Sequence, residues 1–168
     1  MKVRPVRDDE LDRAGAVTVA AYETIPEMRD FLADGYALEL GDVAGRGAHA
    51  EVLVAVEGDQ VVGCVTFVPD HRSPLAEQLG PGDCGMRMLA VDPGERRRGV
   101  GRALVTACAR RATELGRTRL VLTSSDVMAA AQRLYDDLGF ERTPALDWEP
   151  VPGVVARAFV LEPPSRLT

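Results

Sequence analysis

Lysine is all but missing from this chain: Lys2 stands alone among 20 Lys and Arg residues. Bidentate phosphate recognition would call for arginine at selected sites but not everywhere, so we assign the bias to genomic base composition. Histidine is nearly as scarce, with only His49 and His71, and the three cysteines, Cys64, Cys84 and Cys108, are far apart with no CxxC pair. Such a set gives no basis for a zinc site, and no metal is expected. Each cysteine lies in apolar sequence and reads as a small buried side chain. Without a visible histidine partner, Cys84 and Cys108 are poor nucleophiles. The start, "MKVRPVRDDE", lacks an apolar signal core, and no window approaches a membrane span. A soluble, reduced, cytoplasmic protein with no membrane partner is the expectation. An excess of positive charge is also absent: net charge is −6 and the pI about 5.0, which argues against a nucleic-acid partner. What the chain does have is 168 residues, 46% of them hydrophobic, enough for one domain, 1–168, around one core.

On this acidic background "RRRGVGRAL", residues 96–104, is a local basic feature. It suits a small anionic ligand better than a polyanion. The elements around it can be read from period and punctuation. "KVRPV" is a short strand, and Asp8 or Asp9 can cap a helix whose apolar positions are Leu11, Ala14, Val17, Ala20 and Ala21. Pro26 suits the start of a second helix over 27–38, followed by a glycine-rich loop, 41–50. Two β-branched runs flanking Gly58-Asp59 form a hairpin. A long polar loop with three prolines, "PDHRSPLAEQLGPGD", precedes a fourth strand, "CGMRMLAV". Then come the glycine turn and a helix with Val100, Leu104, Ala107 or Cys108, and Leu115 on one face. "TRLVLTSS" is a fifth strand. Ser125 or Asp126 caps a last helix with a stripe of Val127, Ala130, Ala131, Leu134 and Leu138, and "FERTPALDW" and "GVVARAFVLE" are two final strands. The order strand, two helices, three strands, helix, strand, helix, two strands defines an α/β domain with a mixed sheet.

A strand, a glycine turn and a helix start together make an anion site, because several N–H groups and the helix dipole converge there. Gly94 and Gly99 match the glycines of GxxxxGK[ST], but Val100 and Gly101 stand where lysine and a hydroxyl belong, which rejects a P-loop. A Rossmann GxGxxG would need glycine at Leu104, and fails too. The pattern that remains is RxxGxG, met by Arg96, Gly99 and Gly101.

With "MLAVDPGERRRGVGRALV" before it is joined to "LVLTSSDVMAAAQRLYDDLGF", the chain resembles the acyl-CoA binding half of the GCN5-related N-acetyltransferases. The match is strongest over 84–140, and the order of elements extends it over nearly the whole chain. The resemblance implies a mostly antiparallel seven-stranded sheet with four helices. It also implies acetyl-CoA as co-substrate and acetyl transfer to a primary amine, of a small molecule or a protein, by direct attack in a ternary complex. It assigns the diphosphate to backbone amides across Arg97, Arg98, Gly99, Val100, Gly101 and Arg102, with Arg96, Arg97 and Arg98 adding charge. It pairs the pantetheine arm with backbone groups of Leu89 and Val91, and splays the fourth and fifth strands to admit it. Tyr135 would protonate the departing thiolate. Lookalikes are commonly homodimers.

Thioester aminolysis also needs a deprotonated amine and an oxyanion donor. A strand amide near Leu89 or Ala90 suits the second; such donors are worth roughly 10²–10³ in rate. Many members of the family place a carboxylate on the fourth strand, but here it reads Cys84, Gly85, Met86, Arg87, Met88, with only Asp83 at its edge. A water chain, an acid from another loop or a neutral substrate would each serve. Met128 stands where many relatives carry asparagine. Acceptor choice is expected from "AYETIPEMRDF", the proline-rich loop and "LDWEPVPG", where Asp147, Trp148 and Glu149 either form an amine-binding rim or make a solvated turn. His71 reads as exposed. The alternative function is a coenzyme A sensor or regulatory module that keeps the cradle without turnover. The missing strand carboxylate favours this alternative, and Tyr135 favours the enzyme.

Overall fold

A computed structural model of the chain describes residues 1–167, so Thr168, the last residue of the expected domain, lies outside the described residues. β1 (Lys2–Pro5) leads through a 3-10 turn, Asp8–Glu10, into α1 (Leu11–Glu23). Glu10, not Asp8 or Asp9, sets the start of this helix. Its carboxylate accepts the Arg7 amide at 3.0 Å and takes both ends of the Arg4 guanidinium, at 2.6 and 2.8 Å. The guanidinium hydrogen bonds hold the Glu10 carboxyl down at about 2. Because the folded value lies below the unfolded one, this contribution is complete above the ordinary glutamate range and vanishes as pH falls toward 2. Glu10→Gln should therefore lose stability at pH 7 but show a flatter stability profile than the parent between pH 5 and 2. Urea titrations at stepped pH check this, and identical slopes for the two proteins would disprove it.

The stretch expected as one helix over 27–38 is broken. α2 (Arg29–Phe31) passes through a π turn, Leu32–Tyr36, into α3 (Ala37–Gly41), because Gly35 takes φ +110°, outside any helix. The expected loop over 41–50 instead holds a further helix, α4 (Val43–Gly47), for two reasons. Asp42 caps it by accepting the Gly45 amide at 2.9 Å. Arg46, which is buried, donates to the carbonyls of Glu39 and Leu40 at 2.9 and 2.7 Å and to Thr66 Oγ1 at 3.0 Å. β2 (Glu51–Glu57) and β3 (Gln60–Val68) form the expected hairpin. β4 (Asp83–Val91), α5 (Val100–Glu114), β5 (Arg119–Ser125) and α6 (Ala129–Asp137) follow. The run expected as one strand over 140–148 is interrupted by a 3-10 turn at Pro144–Leu146, since proline has no amide for the ladder. It yields β6 (Glu141–Arg142) and β7 (Trp148–Val151), and β8 (Val154–Leu161) ends the sheet. The result is an eight-stranded mixed sheet, mostly antiparallel, with one strand and several short helical turns more than the sequence suggests.

Two compact units divide the described chain: Met1–Phe67 with Met88–Val105, and Val68–Arg87 with the residues from Thr106 onward. In the first, β1 and β2 run antiparallel with Lys2 opposite Val56, and β2 pairs antiparallel with β3. Its core joins Ala14 and Val17 of α1, Val43 of α4 and Val52, Val54, Val56, Val61 and Cys64 of the hairpin. In the second, β4 and β5 pair in parallel from Asp83 opposite Arg119 to Gly85 opposite Val121. β8 runs antiparallel to β5, β6 and β7. α6 departs from the expected stripe: Val127 and Ala130 are exposed, and Tyr135 and Leu138 are the buried positions. Neither Ser125 nor Asp126 caps it. Met128 is the N-cap residue without a side-chain bond, and Asp126 pairs with Arg157 at 2.6 Å.

Candidate active site

In the first unit the chain leaves β4 through a turn built by Asp92. Its carboxylate accepts the Gly94 amide at 2.9 Å and Arg13 Nη2 at 2.7 Å, while its carbonyl accepts the Glu95 amide at 2.8 Å. The backbone is extended at Arg96, left-handed at Arg97 (φ +63°), and left-handed again at Gly99 (φ +79°) before α5 begins. Such alternation turns successive N–H groups to one side and makes a hollow suited to anions. The Ala103 amide is the one that reaches Gly99 O, at 3.0 Å. The amides of Val100, Gly101 and Arg102 thus lie ahead of that rung, at the positive end of a 15-residue helix. A Cβ placed on Gly99 would meet nothing within 4 Å, so this side of the loop is open.

The four arginines of the loop differ. Arg96 Nη2 donates to Thr24 Oγ1 at 2.6 Å and to Ala21 O at 3.5 Å, tying the loop to the C-terminal end of α1. Arg98 is paired with Glu95. Arg97 and Arg102 are exposed and make no ion pair among the described residues. Upstream, Met88 takes φ +53° within β4, a conformation rare for a methionine and the mark of a local bulge. Leu89 and Val91 are half-buried, while Met88 and Ala90, on the other face, are buried. Leu89, Val91 and residues 96–102 thus follow one another within this unit.

Tyr135 belongs to the second unit, on α6. Its ring packs on Phe140 and Phe159 at centroid distances of 5.7 and 5.9 Å, and burial pushes its hydroxyl well above the usual tyrosine range. The proton stays on at neutral pH, as a general acid requires. In the same unit the proline-rich loop covers one face of β4 and β5. A Cβ on Gly85 would come within 3.2 Å of both Leu79 Cδ1 and Val121 O, so Leu79 fills the space that a longer residue there would need. Two residues along the loop, Glu77 pairs with Arg87 of β4 at 2.7 Å and accepts Thr123 Oγ1 of β5 at 3.2 Å. Thr123 Oγ1 in turn accepts the Trp148 indole N–H at 3.3 Å. This Glu77 cluster was invisible in the sequence; its only trace was an acid in a loop with no motif.

Asp147 does not join Trp148 and Glu149 in an amine rim. Arg142 takes both of its oxygens, at 2.5 and 2.6 Å, and Oδ1 also accepts the Ala158 amide at 2.9 Å. Asp83 is occupied too: Arg119 holds both oxygens at 2.8 Å and Oδ2 accepts the Gly80 amide at 2.9 Å. Burial would raise its carboxyl, and those donors bring it below the ordinary range instead. All three cysteines are buried, and none of them forms a disulfide. Burial raises the Cys64 thiol and pushes that of Cys84 up to about 12, which keeps both from acting as nucleophiles at neutral pH. His71 is half-buried against Asp70 at 3.3 Å. Among the described residues no cluster of His, Cys, Asp or Glu could hold a metal ion, and no helix is long and apolar enough to cross a membrane.

A family model, the acetyltransferase (GNAT) family, matches residues 18–140, and the chain belongs to that family. An uncharacterized N-acetyltransferase of Schizosaccharomyces pombe is 34% identical over 108 residues, covering 64% of this chain and 61% of the relative. N-acetyltransferase family 8 member 2 of Rattus norvegicus is 30% identical over 117 residues, 68% of this chain and 50% of that protein. The chain thus spans between half and three fifths of the length of these relatives. Among solved structures, the PaiA N-acetyltransferase of Thermoplasma acidophilum in complex with coenzyme A superposes with a TM-score of 0.70 at 11% identity, over 96% of this chain and 98% of that one. It shares the fold.

Proposed function

We propose that the chain is an acetyl-CoA-dependent N-acetyltransferase that acetylates a primary amine by direct attack in a ternary complex. The observation that carries this reading is the loop from Arg96 to Arg102. Its left-handed residues, its leading helix amides and the open side of Gly99 fit a diphosphate lying against the backbone. Membership of the GNAT family supports it, and so does the coenzyme A held by a structural neighbour of the same fold.

When bound, the co-substrate supplies an activated acetyl thioester. The chain's residues do the rest. Amides across Arg97–Arg102 hold the diphosphate, and exposed Arg97 and Arg102 add charge that neither spends on a partner in the described chain. Arg96 holds the loop to α1 rather than touching the ligand with its side chain. Backbone groups of Leu89 and Val91 beyond the Met88 bulge pair with the pantetheine arm. Tyr135 supplies the proton for sulfur.

Calorimetric titration with acetyl-CoA, coenzyme A and ATP tests the cradle. Micromolar binding of both coenzyme A species and none of ATP is expected; failure of both to bind would reduce the loop to a surface turn. A screen of primary amines by thiol release then separates enzyme from sensor. Binding without turnover of any amine would favour a non-catalytic coenzyme A module, the reading to which the lack of a strand carboxylate at Gly85 points.

A further inference from the structure

The first unit holds all of α1 and the loop that follows β4, and two arginines tie the one to the other. Near the start of the helix, Arg13 Nη2 donates to Asp92 Oδ2 at 2.7 Å and Arg13 Nε to Val61 O at 3.3 Å. At the far end, about 16 Å along the helix, Arg96 Nη2 donates to Thr24 Oγ1 at 2.6 Å, with Ala21 O at 3.5 Å. Thr24 directs its own hydroxyl proton to Ala21 O at 2.7 Å, which leaves its lone pairs to accept from the guanidinium. The last turn of α1 has no basic residue and ends on Glu23, so Arg96 supplies from outside the cation that the carbonyl end of a helix favours.

Resting on the acetyl-CoA reading above, we propose that Arg96 is a positioning residue whose bond to Thr24 sets the loop on α1 before the diphosphate arrives, and through which acetyl-CoA binding is coupled to the end of α1. The backbone changes from extended at Arg96 to left-handed at Arg97 (φ +63°) and left-handed again at Gly99 (φ +79°). A left-handed conformation is unfavourable for arginine, so contacts outside the turn must hold it. Arg98 turns back to Glu95 within the loop, and Arg97 makes no ion pair. Among the described residues, Arg96 is the one residue of 93–99 whose side chain hydrogen-bonds to another element. The charge left for a diphosphate is that of Arg97 and Arg102, both exposed.

The role is one of population. With the tie in place the loop stays in the form that aims its amides at the ligand. Without it the loop visits other forms, and the apparent Kd rises in inverse proportion to the fraction that is ready. The coupling runs both ways. A ligand that holds the loop also holds Thr24 and the turns beyond it, where the Ile25 amide reaches Tyr22 O and the Met28 amide reaches Ile25 O, each at 3.0 Å. Acetyl-CoA bound at the cradle therefore stiffens residues 24–28, and loosening those residues weakens acetyl-CoA.

Calorimetry with acetyl-CoA tests this on the parent, Arg96→Met, Thr24→Val, Thr24→Ser and the double variant Arg96→Met/Thr24→Val. Thr24 is exposed, so its variants should fold, and a thermal melt of each unliganded protein checks that they do. Arg96→Met and Thr24→Val should each weaken binding about fivefold, the size of one hydrogen bond. The double variant should also lose about fivefold, because the same tie cannot be broken twice. Thr24→Ser keeps the hydroxyl and should bind about as tightly as the parent. Amide hydrogen exchange gives the second readout: acetyl-CoA should slow exchange over 24–28 in the parent and fail to do so in Thr24→Val. Weakened binding in Arg96→Met with parent-like affinity in Thr24→Val would make the guanidinium a direct phosphate ligand and overturn the positioning role. Losses that multiply in the double variant, to about 25-fold, would overturn it as well. So would parent-like affinity throughout, or equal protection of 24–28 in the parent and Thr24→Val. Each of these leaves the acetyl-CoA reading standing, whereas parent protein that binds no acetyl-CoA would overturn that reading and this one with it.

Discussion

Gly99→Val should weaken acetyl-CoA binding about 1,000-fold while leaving the fold intact. The loop needs φ +79° at this position, and a β-branched residue pays about 1–2 kcal/mol or more to adopt it. The branched side chain would also project into the open space where the diphosphate is proposed to lie, since a Cβ at Gly99 meets no protein atom within 4 Å. Losing one or two charge-assisted hydrogen bonds there adds about 1.5–3 kcal/mol each. Two such bonds together, near 4 kcal/mol, correspond to about 1,000-fold in affinity, while the backbone strain falls on the unliganded fold. Calorimetry measures the affinity, and a thermal melt of the unliganded protein reports the fold. Because Gly99 is an exposed turn residue with no neighbour to crowd, the melt should move by only a few degrees. Affinity within threefold of the parent would sink the cradle.

The same loop shows where sequence reasoning reaches and where it stops. RxxGxG coupled to "LAVDP" marked the loop proposed to bind the anion, because glycine spacing and an Asp-Pro turn are written in consecutive residues, and the structure puts a capping Asp92 and two left-handed residues there. The strands were legible for a related reason. β-branched runs between Gly and Asp are local signals, so the 58–59 hairpin and β4, β5 and β8 fell within a residue or two of their observed bounds. What sequence did not reveal depends on contacts between distant residues. α4 forms in a glycine-rich stretch because a buried Arg46 binds carbonyls of Glu39 and Leu40 and the Thr66 hydroxyl of β3, twenty residues on. The division of labour among the loop arginines was equally hidden: only the fold shows that Arg96 turns to Thr24 and Arg98 to Glu95. Glu77 is the extreme case. Neither its neighbours nor its spacing say that it will sit between β4 and β5, because the partners that place it are Arg87 and Thr123.

Tyr135→Phe should cut kcat by about 1,000-fold with acetyl-CoA affinity unchanged within twofold, in line with the 10²–10⁴ carried by a general acid. The aromatic pocket of Phe140 and Phe159 accepts the phenylalanine ring without rearrangement, so stability should hold or rise slightly, and the variant isolates the hydroxyl. Its protonation suits the role. Burial keeps the hydroxyl protonated across the working pH range, so no loss of activity from its ionisation is expected below about pH 10, where an ordinary tyrosine titrates. A donor so reluctant to ionise cannot surrender its proton to a thiolate in isolation. It can do so as a relay, taking the nitrogen's proton as it gives its own, which leaves its net charge unchanged at every stage. Losing the relay would make expulsion of the thiolate rate-limiting. Acetyl donors that are thioesters of more acidic thiols should then be less sensitive to the substitution, and small acetyl thioesters of graded thiol pKa would show a steeper dependence of rate on that pKa in Tyr135→Phe than in the parent. Equal turnover and equal slopes would return Tyr135 to the core, as one more ring packed against Phe140 and Phe159.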